Sequence, residues 1–186
     1  MRKITLITSN QNKIREFKLV LEPEISVEAL RLEYPEIRSD DTKEIVEVAS
    51  KQLSEIIKGP VVVEDSGLFI EALKGFPGTC TKYVFERIGN KGFLTLMKGI
   101  RKRKCYYKSA VACCEPNKRP VSFLGAEEGT ISKRIAGKEG WGQDPIFIPK
   151  GKKKTYGQTR SRNDVNLFRK KALVKLKNFI LPWDGA

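Results

Sequence analysis

The chain has 186 residues, 40% of them hydrophobic, and a formal net charge of +14; this length and apolar content suit one globular domain, or one domain with two lobes. It contains no histidine, which excludes Ser–His and Cys–His nucleophile pairs, imidazole general bases and Cys/His zinc sites. No apolar run approaches the ~20 residues that cross a bilayer, and residues 4–8 are too few for a signal-peptide core, so we expect a cytoplasmic protein.

The first third of the chain alternates between strand and helix patterns. Residues 4–9 predict a buried strand, after which Asn10 caps a helix with apolar residues at helical spacing. Residues 26–32 predict a second strand, and residues 42–58 a long helix whose apolar stripe includes Ile56. Residues 61–63 are all valine, which is typical of a central strand covered on both faces.

The rest of the chain predicts an antiparallel section inserted into a βαβ frame. Two short helical segments at 81–88 and 90–98 precede strand-like runs at 104–114, 121–123, 129–132 and 144–148, and a final helix covers 164–180. We therefore predict an α/β fold with a mixed sheet and two lobes around a cleft. Residues 1–186 would form a single domain, with an antiparallel lobe at about 100–135.

Polar residues occupy the junction between the first predicted strand and its helix: Thr8, Ser9, Asn10, Gln11, Asn12 and Lys13. Hydroxyls, amides and backbone N–H groups at a helix start form an anion site, which the helix dipole strengthens. A cation in the first turn of a helix is electrostatically unfavourable, because the helix dipole is positive at that end. The position of Lys13 is therefore better explained if a phosphate binds between the lysine and the helix start. The alternative is an ordinary capped helix with a solvent-facing lysine.

Two adjacent acids, Glu64 and Asp65, follow the valine strand directly. Paired carboxylates there are costly to bury without a cation, and open α/β sheets bind ligands at the carboxyl ends of their strands. One acid could hold Mg²⁺ while the other prepares a water molecule; the alternative is a tight turn with solvated acids. Glu36 follows the second strand and could reach the same edge.

Trp141 lies between two glycines in the segment 140–145. The glycines let the backbone approach a ligand closely, and an indole offers a stacking face for a base. Asp144 could accept a hydrogen bond from a ring N–H. The alternative is that Trp141 anchors the core within a tight turn.

Taken in order, these segments resemble the inosine triphosphate pyrophosphatase family, which removes ITP, dITP and XTP from the nucleotide pool. The matching segments are 8–13, 33–36, 64–69, 74–78, 123–131 and 140–147. The resemblance implies a curved mixed sheet, a deep cleft between two lobes and a homodimer.

The resemblance also implies roles for individual residues. Residues 8–13 would cradle the triphosphate, Glu36 and Asp65 would hold Mg²⁺, and Asp65 would activate the attacking water. The remaining substrate contacts would come from Ser66, Trp141, Gly142, Gln143, Asp144 and Arg169, with Trp141 stacking on the base and Asp144 contacting it.

The start of the last helix departs from the family pattern. Leu167 and Phe168 stand where the family has serine and histidine, Arg169 is retained, and Arg162 stands in the region of a family lysine. Phe168 falls on the apolar stripe of the helix, which favours core packing. Because hydrogen-bond donors facing a substrate acceptor give strong discrimination, we expect weaker base selectivity.

We therefore expect a Mg²⁺-dependent hydrolase that splits purine nucleoside triphosphates into the monophosphate and pyrophosphate. The alternative is a catalytically weakened or broad-specificity homologue that binds nucleotides or nucleic acid. The net charge of +14 and the basic runs near residues 101–104 and 150–154 are compatible with both. We expect no membrane partner.

Overall fold

The computed structural model describes residues 2–161 and 163–181. In chain order its elements are β1 (Arg2–Ile7), α1 (Gln11–Leu21), β2 (Ile25–Leu30), α2 (Thr42–Ile57), β3 (Val61–Ile70), a 3₁₀ turn (Glu71–Leu73), β4 (Pro77–Gly78), α3 (Thr81–Leu96), β5 (Lys104–Cys114), β6 (Val121–Ile131), β7 (Phe147–Pro149), α4 (Tyr156–Thr159) and α5 (Leu167–Ile180). Every helix in this described part of the chain is too short or too polar to span a bilayer.

Seven strands form one sheet in the order β2-β1-β3-β5-β6-β7, with β4 paired to β3. Strand β1 is parallel to both β2 and β3, whereas β4 is antiparallel to β3 and β7 to β6. The predicted α/β class with a mixed sheet is therefore confirmed.

Strand β3 lies between two layers of apolar side chains, which explains its run of valines. Val62 packs with residues of α1, α5, β1 and β2, while Val61 and Val63 pack with α2 and β5. Successive side chains of a strand point to opposite faces, so all three valines are buried.

The chain divides into two compact units. The first unit comprises the described residues of 1–65, 109–125 and 165–186, and the second comprises 66–108 and the described residues of 126–164. Glu36, Asp65, Arg169 and the predicted phosphate segment 8–13 belong to the first unit, and Trp141 belongs to the second. The predicted cleft, the antiparallel lobe and the single domain remain predictions.

The two acids lie within β3 rather than after it, so the alternative of a tight turn with solvated acids is wrong. The strand continues to Ile70, and its final residues pair with β4 at Leu68 and Phe69. Gly67 permits this pairing, because a Cβ atom there would lie 2.1 Å from the carbonyl oxygen of Gly78. Sequence patterns missed β4 because it has only two residues.

Several predicted boundaries are corrected by tertiary contacts. The run 121–123 and residues 129–131 of the run 129–132 belong to one strand, β6, in which exposed and buried residues alternate from Leu124 onwards. Only the end of the run 144–148 joins a strand, because a turn precedes Phe147, and α5 begins at Leu167 rather than residue 164.

Two predictions about helices are also corrected. Ile56 of α2 is 66% exposed instead of facing the core. The two helical segments after residue 80 form α3, with a kink at Gly89, where φ is +55°.

Candidate active site

The start of α1 is capped by Asn10, as predicted. Its Oδ1 accepts hydrogen bonds from the backbone N–H groups of Asn12 at 3.0 Å and Lys13 at 3.3 Å, while Thr8 Oγ1 accepts from the Asn10 N–H at 3.2 Å. Ser9 and Gln11 are exposed beside the cap, and the first turn of α1 carries no acidic side chain. This helix start therefore has the electrostatics that favour an anion.

Lys13 is directed at β3 instead of facing solvent. Its Nζ lies 2.8 Å from Glu64 Oε2 and 2.8 Å from the Glu64 carbonyl oxygen, and 18% of the side chain is exposed. The alternative of a solvent-facing lysine is therefore wrong. The ammonium is thus fixed by Glu64 beside the helix start.

Glu64 is a buried anion of the first unit. Ser109 Oγ donates to its Oε1 at 2.7 Å, and Arg169 Nε donates to the same oxygen at 3.1 Å. Burial alone would raise the pKa of this carboxyl, but the charges of Arg169 and Lys13 and the hydrogen bonds from Lys13 and Ser109 lower the pKa to about 2. Glu64 thus serves as a fixed counter-ion of Lys13 and Arg169.

Arg169 is fully buried and bridges two carboxylates. Besides Glu64, its Nη1 contacts Glu16 Oε2 at 2.6 Å. Burial acts to lower the pKa of the guanidinium, but the charges of Glu64 and Glu16 outweigh it and raise that pKa. Glu16 is held in turn by Asn166, whose Nδ2 donates at 2.7 Å and whose backbone N–H donates at 3.2 Å.

Sequence reasoning missed Glu16, Ser109 and Asn166. A signal for Glu16 was available, since it lies three positions after Lys13 and shares a face of α1 with it. The sequence contained no signal for Ser109 or Asn166, because each meets its partner only through the folded chain.

Tyr34 contacts one of the two predicted metal-binding acids. Its hydroxyl donates to Glu36 Oε1 at 3.1 Å. Burial, and then the charges of Glu36, Asp65 and Glu64, raise the pKa of Tyr34. All three carboxylates therefore act electrostatically on one hydroxyl, and Glu36 is in direct contact with it.

Mg²⁺ is the ion that the family resemblance implies for Glu36 and Asp65. Within residues 2–161 and 163–181, no three Cys, Asp or Glu side chains are arranged to hold a metal ion by themselves. Mg²⁺ is usually held by one or two carboxylates, with phosphate oxygens and water completing its octahedron. Glu36 and Asp65 carry the carboxylate oxygens that this mode of binding uses, whereas the oxygens of Glu64 are engaged by Lys13, Arg169 and Ser109.

In the second unit, Asp144 holds the turn that carries Trp141. Its Oδ2 accepts from the Trp141 N–H at 2.9 Å and from Arg160 Nη1 at 3.0 Å, and both charged side chains are buried. Gly140 permits this turn: its φ is +75°, and a Cβ atom would lie 2.0 Å from Asp144 Oδ2.

The same turn is anchored at two further points. Tyr107 donates from its hydroxyl to Gln143 Oε1 at 2.9 Å, and Asn90 Nδ2 donates to the Gly142 carbonyl oxygen at 3.0 Å. Gln143 is buried, whereas Trp141 is only half-buried. The indole is thus presented by a fixed turn. Ser66, on β3, is half-buried and also belongs to this unit.

The start of α5 presents no donor at the two altered positions. Phe168 is buried in the core, as its place on the apolar stripe predicted, and Leu167 is 42% exposed. Close packing explains the fixed position of this helix start, because a Cβ atom on Gly125 would lie 1.9 Å from the Phe168 carbonyl oxygen. Arg162, the suggested replacement for a family lysine, lies outside the described residues.

Comparison with known proteins places these features in a family. The model of the Ham1 family matches residues 4–179. A dITP/XTP pyrophosphatase of Methanopyrus kandleri is 46% identical over 84% of each chain, and one of Korarchaeum cryptofilum is 42% identical over 94% of each chain. The Staphylococcus aureus Ham1 protein superposes with a TM-score of 0.83 at 24% identity, covering 97% of this chain and 98% of its own. The resemblance drawn from the motifs is thereby confirmed, and the chain belongs to the Ham1 family.

Proposed function

We propose that this chain is a Mg²⁺-dependent nucleoside triphosphate pyrophosphatase that splits purine triphosphates such as ITP, dITP and XTP into the monophosphate and pyrophosphate. The observation that carries the proposal is the placement of Lys13, held by Glu64 at the start of α1. The names of the Methanopyrus and Korarchaeum relatives support the same activity and substrate class.

The phosphate groups would meet residues 8–13. Lys13 supplies a positive charge that is already oriented, so little rearrangement is needed when phosphate charge develops in the transition state. Ser9 and Gln11 are exposed and can donate hydrogen bonds to phosphate oxygens. The helix dipole of α1 adds to this attraction, since no acid in its first turn opposes an anion.

Glu36 and Asp65 would hold Mg²⁺. When bound, the ion neutralises phosphate charge and lowers the pKa of coordinated water. The Asp65 carboxylate would orient the attacking water and accept its proton, which is the usual task of a carboxylate in phosphoryl transfer. Tyr34 positions Glu36 by donating a hydrogen bond to its Oε1.

In the second unit, Trp141 would stack on the purine base, and we retain Ser66, Gly142, Gln143 and Asp144 as proposed substrate contacts. Asp144 has a clear internal role, since its Oδ2 accepts from both Trp141 and Arg160. Leu167 and Phe168 supply no side-chain donor for the base O6, so we propose modest discrimination between 6-keto purines and adenine.

An assay of pyrophosphate release tests the proposal. ITP, dITP, XTP, GTP and ATP would be compared with Mg²⁺, with and without EDTA. We expect pyrophosphate release from the non-standard purine triphosphates, and we expect EDTA to abolish this release. The absence of release from every nucleotide would refute the proposal, and equal rates across the panel would refute preference for non-standard bases.

Location and assembly follow from the same proposal. An enzyme that cleanses the nucleotide pool would act in the cytoplasm, where that pool lies, and the family resemblance implies a homodimer. Size-exclusion chromatography with light scattering tests the dimer; a mass of 21.1 kDa would indicate a monomer.

A second candidate function, nucleic-acid binding, is favoured by the charge of the second unit. Residues 66–108 and 126–164 contain 19 Lys and Arg against 7 Asp and Glu, a net charge of +12 out of +14. Such an excess attracts polyanions in a salt-dependent way. Fluorescence anisotropy with a single-stranded oligonucleotide at about 50 and 200 mM salt tests it; binding without pyrophosphate release would favour this candidate over the enzyme.

A further inference from the structure

We propose that Asn90 is a positioning residue for the purine base, which acts by fixing the peptide that follows Trp141. The inference rests on the proposed function, in which Trp141 stacks on the base, and it adds a residue that no sequence motif indicated. Asn90 acts through Gly142, the residue next to the indole. All three residues belong to the second unit.

Gly142 is the residue of the Trp141 turn that packing constrains least. Its φ is +61°, and a Cβ atom there would meet nothing within 4 Å. Because glycine adopts positive and negative φ about equally, the peptide between Gly142 and Gln143 can rotate unless one of its groups is held. Asn90 Nδ2 donates to the carbonyl oxygen of this peptide at 3.0 Å. This hydrogen bond therefore fixes the orientation of the peptide.

The bond from Asn90 also ties the turn to another element. The backbone N–H of Trp141 donates to Asp144 Oδ2 at 2.9 Å, and the Trp141 carbonyl oxygen accepts from the Asp144 N–H at 3.2 Å. These bonds lie within the turn, so they fix its shape but not its place. Asn90 lies on α3, 52 positions earlier in the chain, and its contact acts on the residue adjacent to Trp141.

The part of α3 that carries Asn90 is firmly anchored. Phe93 and Met97, three and seven positions after Asn90, are 0% exposed, and residues at that spacing share one side of a helix. The carbonyl oxygen of Met97 accepts from Arg103 Nη1 at 2.8 Å, and Arg103 Nε donates to the Ile131 carbonyl oxygen at 2.7 Å. The donor on Asn90 is thus carried by a fixed segment.

The other polar atom of the Asn90 amide argues against a purely stabilising role. Within residues 2–161 and 163–181, Asn90 Oδ1 is buried and accepts no hydrogen bond. A buried acceptor without a partner is destabilising. An apolar side chain of similar shape would avoid that cost, so what the amide adds at this position is the donor to Gly142.

A positioning role and a purely structural role predict different results with ligands that contain or lack a base. IMP, the monophosphate that ITP would leave, presents a purine base and no phosphoanhydride. Inorganic tripolyphosphate with Mg²⁺ presents the phosphate chain alone. A residue that positions Trp141 affects binding of IMP and leaves binding of tripolyphosphate unchanged, whereas a residue that only stabilises the fold affects both ligands equally.

Two variants and a matched control test the role. Asn90→Leu removes the donor and the unpaired acceptor at similar volume, and Asn90→Asp keeps the shape but replaces the donor by an oxygen. Asn178→Leu, the control, makes the same change at an exposed asparagine of α5. All proteins, including the parent, carry Trp183→Phe, which leaves Trp141 as the only tryptophan of the chain.

Calorimetry with IMP and with tripolyphosphate, and steady-state kinetics with ITP, would be measured below the melting temperature of each protein. We expect both Asn90 variants to bind IMP more weakly and to raise KM for ITP by roughly threefold to tenfold, the factor that corresponds to about one net hydrogen bond. Tripolyphosphate affinity should be unchanged, and kcat nearly so, because the lost interaction holds the base throughout the reaction. Asn178→Leu should match the parent.

Time-resolved fluorescence anisotropy of Trp141 in the ligand-free proteins reports on the turn directly. We expect the anisotropy to decay faster in both Asn90 variants than in the parent, because release of the Gly142 peptide lets the indole move over a wider range on the nanosecond timescale. This measurement does not depend on catalysis.

Three results would overturn the inference. The first is a folded Asn90 variant that keeps both the IMP affinity and the Trp141 anisotropy of the parent. The second is an equal loss of affinity for IMP and tripolyphosphate, and the third is loss of folding in both Asn90 variants, since each would make Asn90 a structural residue. Failure of the parent to release pyrophosphate would refute the proposed function instead, and IMP binding and the anisotropy of Trp141 would still decide the role of Asn90.

Discussion

Lys13 and Glu64 are joined twice, because the lysine ammonium lies 2.8 Å from the side-chain Oε2 and 2.8 Å from the backbone carbonyl oxygen of Glu64. This double contact ties the start of α1 to the middle of β3. It holds a positive charge against both the side chain and the backbone of Glu64, the residue that precedes Asp65 in β3.

Substitution of Asp65 tests the proposed catalytic step. We expect Asp65→Asn to reduce pyrophosphate release from ITP by at least ~10²-fold, since removal of a general base typically costs 10²- to 10⁴-fold, while nucleotide binding is retained. Release assays and calorimetry with ITP measure the two effects. Asp40→Asn, which alters an exposed acid, is the control. Unchanged release from Asp65→Asn would remove this residue from the mechanism.

The depressed pKa of Glu64 predicts a pH dependence of stability. The pKa is lowered from 4.5 to about 2 in the folded protein, so its contribution to stability is fully present above about 4.5 and is lost as the pH falls towards 2. Glu64→Gln should lower the free energy of unfolding by about 3–5 kcal/mol at pH 7, because it leaves buried cations with a missing partner.

Urea unfolding between pH 2 and 7 measures this effect. The difference between the wild type and Glu64→Gln should shrink as the pH is lowered through that window. Glu55→Gln, at an exposed position of α2, should show a much smaller difference at pH 7. A constant difference at all pH values would contradict the assignment of the buried charge to Glu64.

Gly140 and Gly142 form a natural pair for testing the Trp141 turn. Both have positive φ, +75° and +61°, but an added Cβ atom meets Asp144 Oδ2 at 2.0 Å only at Gly140 and meets nothing within 4 Å at Gly142. Gly142→Ala should cost about 1–2 kcal/mol for the left-handed backbone. Gly140→Ala should cost about 1–3 kcal/mol more because of the clash. Equal losses of unfolding free energy in the two variants, measured by urea unfolding, would show that Asp144 moves aside freely.

The buried pair of Arg160 and Asp144 gives a further prediction. Arg160→Met leaves Asp144 buried with one charged partner fewer, so we expect a loss of about 3–5 kcal/mol in the free energy of unfolding and weaker ITP binding. Arg101→Met, an exposed arginine of the same unit, should leave both unchanged. Wild-type ITP affinity in a folded Arg160→Met protein would show that the turn does not depend on this ion pair.

Local patterns predicted much of the fold. The cap at Asn10, the helix beginning at Thr42, the strand 104–114 and the core position of Phe168 all follow from chemistry within a few residues, and all are confirmed. Motif order and spacing also identified the family. The boundaries that failed, those of β3 and β6, depend on pairing with strands distant in the sequence, and no local pattern contains that information.

The amino-acid sequence by itself determined the absence of histidine chemistry, the polar and basic residues at 8–13 that predict a phosphate site, and the acids available for a metal ion. Only the tertiary structure decided that Arg169 faces Glu16, 153 positions away, and Glu64, 105 positions away. Residue type determines what a side chain can bind. Burial, and the contacts that folding makes between distant parts of the sequence, determine which partner it meets. A retained arginine therefore matches a family motif in the sequence and serves as an internal ion-pair partner in the folded protein.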